Sequence, residues 1–401
     1  MSLRLAHLCH DPLPYSSTST EQVVRSCAGL AAQGVRVDLL FMGSDLEPQP
    51  SSRPGPEVRE AVATSYGFAT GLPERLHLVP VPPVRFLPGP PGIGAWEVRA
   101  AHLARRTPHD LVLTRDLVAL AWSLAAGCRA AFETYRADLQ VSPWLRPWRR
   151  FCYRHRNFAG IVVHSAMAGR AAVAAGIAQR KVLVAHNGYA PELFEPRLAR
   201  AEARVRLALP PDAALVLYAG HVGPRKGFEA ILRLASDVPE ALFVVVGAEP
   251  GDAATRAAGD AVTGTGVSNL RVLPRVPPGQ VAPYLFAADC LLIPPTAGPL
   301  LRHGRTVLPM KTFLYLAAGR PILAPDLPDV REVLDNGRTA VLVPPDDRCA
   351  AAQALRRILA DAPLRESLSA AALATAPRYS WESRSSLVKA FLEASATTGA
   401  G

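Results

Sequence analysis

Residues 308–324 have the sequence LPMKTFLYLAAGRPILA, which predicts one helix followed directly by one buried strand. Pro309 suits the first position of a helix, and Gly319 suits the position just after its last turn. Lys311 then lies in the opening turn, at the positive end of the helix dipole, where a cation is unfavourable unless an anion is close. This stretch therefore predicts an α/β domain with an anion site at the start of the helix.

A second stretch of the same half, residues 218–227, has the sequence YAGHVGPRKG. A strand ends as this stretch begins, Gly220 and Gly223 allow a tight turn, and a helix starts just after it. Such a loop exposes backbone N–H groups beside a helix N-terminus, where an anion is favoured. Arg225 and Lys226 add charge, and the compact lysine ammonium suits a phosphate. The alternative is an ordinary turn with two surface cations.

Lysine is rare in this chain, which has 44 basic residues of which only four are lysines. In a chain so rich in arginine, a retained lysine suggests a site that needs a compact ammonium rather than a planar guanidinium. The four are Lys181, Lys226, Lys311 and Lys389.

Strand–helix–strand units recur in both halves, and 401 residues exceed what one hydrophobic core usually supports. Repeated units of this kind form parallel sheets with helices on both faces. We predict a first domain of residues 1–190, joined by the C-terminal helix 381–401, and a second domain of residues 191–380. Doubly wound domains bind ligands at the carboxyl ends of their strands.

Other segments are expected to be irregular or merely apolar. Residues 44–60 and 80–95 are rich in Pro, Gly and Ser and are predicted to be surface loops, and residues 191–196 a linker. The N-terminus is predicted to be a first strand rather than a signal peptide. The longest apolar run, residues 117–128, is too short to span a bilayer, so we expect a cytoplasmic protein.

Cysteine and histidine spacing predicts no structural metal. The six cysteines form no CxxC pair, and the ten histidines show no HxxxH or HxH spacing. Reduced, buried thiols are the expected state.

Charge is concentrated in the first 190 residues, where 21 basic and 13 acidic residues give +8 of the net +10. A basic face can meet an acidic acceptor or an anionic lipid surface. The alternative is a compositional bias toward arginine. Residues 144–156 mix aromatic and basic residues, which favours either peripheral membrane contact or an amphipathic helix with inward aromatics. Nucleic acid is disfavoured.

These elements together resemble the C-terminal domain of the retaining glycosyltransferases of family 4, which have the GT-B fold. The resemblance covers residues 160–395 well and the N-terminal third loosely. It rests on the Lys-Gly that ends the glycine loop, the helix–strand unit quoted first, and the segment that follows it. The matching residues are Lys226, Gly227, Pro309, Lys311, Tyr315, Ala317, Gly319, Pro321, Ala324, Asp326, Pro328, Arg331, Glu332, Asn336, Gly337 and Asp346.

The resemblance implies an α/β protein of GT-B fold, with two Rossmann-like doubly wound domains facing a central cleft. It implies transfer of a sugar from a nucleotide-diphosphate sugar, the co-substrate, to a small-molecule, glycan or lipid-linked acceptor, without metal or other cofactor. The expected catalytic residues are Lys226, Lys311 and Tyr135. The expected donor-binding residues are Gly220, His221, Gly223, Arg225, Thr306, Pro309, Met310 and Leu314. The expected acceptor-binding residues are Ser16, Ser17, Thr18, Arg115, Asp116, Glu133 and Arg136.

Several functional positions of the family are changed here. Leu314 and Thr306 replace two glutamates, His221 replaces a loop arginine, and a Ser/Thr run at residues 16–20 replaces a Gly-Gly pair. Tyr135 stands where a histidine is often found. Three functions remain open: a transferase whose other residues compensate, an inactive relative that serves as a partner or regulator, and an enzyme that forms a non-glycosidic bond.

Overall fold

The computed structural model describes residues 2–15, 17–43, 56–82, 95–135, 146–223, 226–298 and 308–397. The chain forms two compact units. The first comprises residues 1–187 and 381–401, and the second comprises residues 188–380. None of the helices in these ranges combines the length and the apolar character that crossing a bilayer requires.

The first unit is built on a parallel sheet whose seven described strands have the order β3-β2-β1-β4-β5-β6-β7. The strands are β1 (Arg4–Cys9), β2 (Arg36–Met42), β3 (Leu76–Val81), β4 (Leu111–Thr114), β5 (Ala130–Thr134), β6 (Phe158–Val163) and β7 (Val182–Val184). The helices between them are α1 (Thr18–Ala32), α2 (Pro56–Tyr66), α3 (Ala95–Arg106), α4 (Leu117–Ala125), α5 (Arg146–Arg154) and α6 (Ala166–Ala174).

The second unit repeats this architecture with six described strands in the order β10-β9-β8-β11-β12-β13, all parallel. The strands are β8 (Ala214–Ala219), β9 (Ala241–Ala248), β10 (Leu270–Pro274), β11 (Cys290–Leu292), β12 (Ile322–Pro325) and β13 (Val341–Val343). The helices are α7 (Arg200–Arg206), α8 (Phe228–Asp237), α9 (Ala253–Thr265), α10 (Val281–Ala287), α11 (Lys311–Ala318), α12 (Pro328–Arg331), α13 (Arg348–Ala360) and α14 (Ala362–Thr375).

Each sheet has a point where the direction of strand addition reverses. In the first unit Leu5 of β1 lies beside Val37 of β2 and Leu111 of β4. In the second unit β8 lies between β9 and β11 in the same way. Loops that follow two such neighbouring strands diverge and leave a crevice at the carboxyl edge, where ligands bind in doubly wound folds.

The last helix, α15 (Trp381–Thr397), belongs to the first unit and packs on α1 and β6. Val388 and Leu392 enter the apolar core that α1 and the sheet share. The Gln33 side chain donates to the Glu382 carbonyl at 2.8 Å, and Lys389 Nζ donates to the Gln33 carbonyl at 2.9 Å. The chain therefore leaves the first unit, builds the second, and returns.

Three predictions of irregular structure were wrong in part. α2 begins at Pro56, inside the predicted loop 44–60, because proline is well placed at a helix start and helix-forming residues follow it. β3 and α3 occupy the two ends of the predicted loop 80–95. In the predicted linker, Pro191–Phe194 forms a short 3₁₀ helix whose buried Phe194 ring contacts Tyr189 and Phe286, so this segment is packed into the second unit.

Candidate functional site

The glycine loop after β8 forms one side of the candidate site in the second unit. Gly220 and Gly223 have φ angles of 147° and 144°, which residues with a side chain rarely adopt. Gly227 is left-handed at the N-cap of α8, and the Lys226 amide donates to the Gly223 carbonyl at 3.0 Å. The loop therefore turns back sharply before α8. Arg225 lies outside the described residues.

Lys311, the first residue of α11, brings its ammonium against this loop. Its Nζ atom lies 3.4 Å from the centre of the Tyr218 ring, a favourable cation–π contact. A β-carbon at position 220 would lie 2.9 Å from Lys311 Nζ and 3.2 Å from the Tyr218 hydroxyl. The missing side chain of Gly220 therefore leaves room for the ammonium beside the loop backbone.

The charge of this site is not balanced by acidic side chains. Burial lowers the pKa of Lys311 well below its usual value, and the nearby Lys226 lowers it further. Within the described part of the chain, neither lysine forms an ion pair with a carboxylate. An anion bound here would raise the pKa of Lys311 and so favour its protonated form.

His221 lies in the glycine loop, and its carbonyl accepts a hydrogen bond from the Tyr218 hydroxyl at 3.0 Å. Burial lowers the pKa of its imidazole, and Arg275 and Lys226 contribute to the decrease. The ring is therefore neutral near pH 7. It can donate a hydrogen bond to a ligand, but it does not supply the positive charge of the arginine that the family resemblance led us to expect.

The start of α11 forms the other side of the site. Met310 is the N-cap and makes no side-chain hydrogen bond to the helix, while the Pro309 carbonyl accepts the Thr312 amide at 3.0 Å. Leu314 is partly buried against the apolar core of the second unit. Its aliphatic side chain has no hydrogen-bond acceptor to offer a ligand. Thr306 lies outside the described residues.

Tyr315, one of the residues that match the family, connects the two sides of the site. Its buried hydroxyl accepts the Ala219 amide at 2.9 Å and donates to the Leu292 carbonyl at 3.3 Å. One hydroxyl thus connects α11 to the ends of β8 and β11. The sequence carried a signal for this role, because residues four apart lie on the same side of a helix and Tyr315 follows Lys311 by four.

In the first unit the Ser/Thr run is largely used to start α1. Ser17 is the N-cap, and its hydroxyl accepts the Thr20 amide at 3.0 Å. The Thr20 hydroxyl donates to Asp11 at 2.6 Å. Thr18 begins the helix and is exposed. Ser16 is not among the described residues.

Arg115 and Asp116 follow β4 but do not form an ion pair with each other. Arg115 Nη1 donates to Gln22 Oε1 at 2.8 Å, and its guanidinium lies 5.3 Å from the centre of the Tyr135 ring. Asp116 instead caps α4, and its Oδ1 atom accepts the Val118 and Ala119 amides at 2.7 and 2.9 Å. The structure thus brings Tyr135 and Arg115 together. Arg136 lies beyond the described residues.

Glu133, which we expected to contact an acceptor, is buried with 1% of its surface exposed. Its carboxylate accepts Arg384 Nη2 and His164 Nε2, each at 3.0 Å. Burial alone would raise the pKa of Glu133, but Arg384 and His164 outweigh it and hold the pKa far below its usual value. The carboxylate links β5 to α15, and because it is buried it presents no open face to a ligand.

Two family models match the chain, one in each half. The model described as Glycosyltransferase Family 4 matches residues 20–193, and the model described as Glycosyl transferases group 1 matches residues 213–361.

Curated relatives include D-inositol 3-phosphate glycosyltransferases. The protein of that name from Streptomyces avermitilis is 30% identical over 217 residues, which cover 51% of this chain and 45% of the relative. The one from Geodermatophilus obscurus is 32% identical over 231 residues, which cover 55% of this chain and 49% of the relative. The chain therefore spans about half the length of the curated relatives it matches.

Solved structures resemble the chain over nearly its full length. Sucrose-phosphate synthase from Thermosynechococcus elongatus has a TM-score of 0.75 at 18% identity and covers 98% of both chains. HepE from Anabaena, in complex with UDP and glucose, has a TM-score of 0.71 at 14% identity and covers 98% of this chain and 99% of its own. These likenesses establish the fold.

The fold is therefore GT-B, with two Rossmann-like domains that each contain a parallel sheet covered by helices. Within that class the chain is similar to the family 4 and group 1 glycosyltransferases, whose models match its first and second halves respectively.

Proposed function

We propose that the chain transfers a sugar from a nucleotide-diphosphate sugar to an acceptor hydroxyl with retention of configuration. The observation that carries the proposal is the pair Lys226 and Lys311, two cations without a carboxylate partner among the described residues. They flank a loop whose glycines let the backbone approach a ligand closely. Two lysine side chains beside such a loop suit the negative charge of a diphosphate.

In the proposed reaction the bond between the sugar's anomeric carbon and the diphosphate breaks, and negative charge develops on the leaving oxygen. Lys311 and Lys226 stabilise that charge from fixed positions, which lowers the barrier. The acceptor hydroxyl forms the new bond on the same face of the sugar. Because the new bond forms on the face that the diphosphate leaves, the configuration is retained, and the proton of the acceptor hydroxyl passes to the departing phosphate oxygen. In this scheme cationic side chains, rather than a metal, hold the diphosphate.

A second candidate, a relative without catalytic activity, is favoured by Leu314. A glutamate at this position would accept hydrogen bonds from the ribose hydroxyls, whereas leucine packs on the core. Hydrogen bonds to a charged group contribute about 1.5–3 kcal/mol each. Retained diphosphate binding with weakened nucleoside binding is compatible with a protein that binds a nucleotide without turning over.

Thermal unfolding in the presence of UDP, GDP, ADP, CMP and dTDP tests the donor site. We expect at least one diphosphate to stabilise the protein, by about 2.7 kcal/mol at a hundred times its dissociation constant. Lys311→Met should abolish the shift. Lys389→Met, on α15 of the first unit, is the matched control and should retain it. If none of the five nucleotides shifts the transition, the donor site is wrong.

Turnover separates the two candidates. Release of nucleoside diphosphate from a panel of sugar nucleotides, lost in Lys226→Ala, would exclude the inactive relative. Binding without release under all conditions would exclude the transferase. Mass spectrometry of the product identifies the bond formed and therefore distinguishes a glycosidic from a non-glycosidic link.

For the acceptor we propose a hydroxylated compound bound at the carboxyl edge of the first unit's sheet, beside Arg115 and Tyr135. The curated relatives are named for D-inositol 3-phosphate, and a guanidinium would suit such a phosphate. Arg115→Met should raise the KM for a phosphorylated acceptor much more than the KM for the donor. An equal effect on both would argue against this placement.

We further propose that α5 contacts an anionic membrane surface. Trp148 packs on the core of the first unit, while Arg150, Phe151 and Arg154 are exposed on the outer side. A helix with basic side chains around an exposed aromatic ring binds anionic lipid interfaces. Arg150→Glu/Arg154→Glu should abolish co-sedimentation with phosphatidylglycerol vesicles. Arg105→Glu/Arg106→Glu on α3 is the matched control, and equal losses in both variants would contradict the assignment.

A further inference from the structure

Three ligating side chains of the first unit, none of which is part of a sequence motif, lie together at the point where strand addition reverses. His10 follows β1, Asp116 follows β4, and Glu97 lies in the first turn of α3. The ligand atoms of all three lie within 4.8 Å of one another, and His10 Nδ1 is 2.6 Å from Glu97 Oε1. We propose that this cluster binds one divalent transition-metal ion.

The donor set determines the class of ion. One imidazole nitrogen and two carboxylate oxygens suit Zn²⁺, Co²⁺ or Mn²⁺, whereas Mg²⁺ and Ca²⁺ prefer oxygen ligands alone. With metal–ligand distances of about 2.0–2.2 Å, two ligands of one ion are at most roughly 4.4 Å apart. Small side-chain adjustments therefore close the cluster around an ion. Three protein ligands leave a further coordination position for water or a substrate hydroxyl.

Two of the ligands are held in place by contacts outside the cluster. The Val118 and Ala119 amides of α4 both donate to Asp116 Oδ1, and no described residue donates to Asp116 Oδ2. The Trp96 ring lies 5.4 Å from the His10 ring, and its indole N–H donates to the Val81 carbonyl at 3.1 Å. Outer contacts of this kind orient ligands and strengthen metal binding.

The negative charge of the cluster and its access to solvent both favour the binding of a cation. Glu97 and Asp116 place two carboxylates side by side, and Asp11 lies close enough to His10 to act on its charge. The Glu97 side chain is 3% exposed and the His10 side chain 40% exposed, so the cluster has an enclosed base and a solvent-facing ligand. An ion can therefore enter from solvent past His10. The competing explanation is that a proton on His10 alone balances the carboxylates.

Titration with Co²⁺ distinguishes the metal from the proton. The protein should be untagged and carry Cys349→Ser, because Cys349 is an exposed thiol that binds metals on its own. We expect one equivalent of Co²⁺ to give a saturable visible absorption band, and Zn²⁺ to displace it. The measurement concerns binding alone, so it does not depend on the proposed transferase activity.

Two variants test the ligands. Asp116→Asn keeps a good N-cap for α4 but removes the charge, and His10→Gln removes the nitrogen ligand. Each should weaken Co²⁺ binding at least about tenfold, since loss of even an outer contact costs about 10–100-fold. The control is His102→Gln, an exposed residue of α3, which should bind as the parent does. The absence of a saturable band in the parent, or unchanged binding in both ligand variants, would overturn the site.

Discussion

The two sheets treat charge differently at their carboxyl edges. In the first unit the buried Arg384 and His164 side chains both donate to the buried Glu133 carboxylate, between β5 and α15. In the second unit Lys226 and Lys311 approach each other, and no described carboxylate pairs with them. Paired buried charges hold elements of a fold together, whereas unpaired charges of one sign favour the binding of a ligand of opposite charge. The same architecture therefore separates a structural role from a binding role.

The largest effect is expected from Arg384→Met, which leaves the Glu133 carboxylate buried with only His164 as a partner. Loss of one member of a buried pair destabilises a protein by about 3–5 kcal/mol. The control is Arg348→Met, whose partner Asp237 is at the surface and whose loss should change stability little. Urea unfolding followed by tryptophan fluorescence gives both values. Equal midpoints for the two variants would remove the contrast between the units.

Lys311→Met should act on function rather than stability. Loss of one fixed stabilising group at a developing charge slows catalysis about 10²–10³-fold. Because the variant replaces a desolvated ammonium with an apolar chain of similar length, the free energy of unfolding should stay equal or rise. Steady-state kinetics and urea unfolding check the two halves of this prediction. A variant that unfolds more easily than the parent would make Lys311 a structural residue.

The first unit should lose stability in mild acid. Burial lowers the pKa of both His7 and His164 from 6.5 to about 4. The unfolded chain therefore binds protons between pH 6.5 and 4 that the folded unit does not. The stability that each buried, neutral histidine contributes is fully present above pH 6.5 and is lost as the pH falls toward 4. At pH 5 the loss is of order 2 kcal/mol for each histidine.

Unfolding midpoints at pH 7.5 and pH 5 measure this loss. His164→Gln should reduce the difference between the two midpoints, because glutamine does not titrate. An unchanged pH dependence in that variant would assign the acid sensitivity to other groups.

The smallest effect is expected from Gly220→Ala, which would force Lys311 Nζ away from the loop. A new methyl group at 2.9 Å and a positive φ should weaken nucleotide binding by roughly tenfold. Gly251→Ala is the matched control, because its φ is 79° but no atom lies within 4 Å of the new carbon. Calorimetric titration should therefore show weaker binding in the first variant only. Similar losses in both would assign the effect to backbone strain.

Local signals in the sequence predicted much of the second unit. Pro309 and Gly319, which mark the predicted start and end of the helix, placed α11 to within two residues of Lys311–Ala318. The glycines of the loop after β8 predicted a tight turn, and three of them have positive φ angles. These features are determined by a few consecutive residues, so a short segment of sequence is enough to predict them.

Contacts between distant residues could not be predicted in this way. Glu133 and Arg384 are 251 positions apart, and the His10, Glu97 and Asp116 cluster combines a strand end, a helix start and a second strand end. Their proximity depends on the order of the strands, which the alternation of elements alone does not determine. Ser17, which we expected at a ligand site, also caps α1, and this local role could not be separated from ligand binding by the sequence alone.

The return of α15 to the first unit has a consequence for synthesis on the ribosome. The six described strands of the second unit are synthesised once residue 343 has emerged. In the first unit, by contrast, the partner of Glu133 is Arg384, which emerges later. The unit that begins first is therefore finished last. During translation Glu133 therefore lacks Arg384, its main counter-charge, until the last helix has been synthesised.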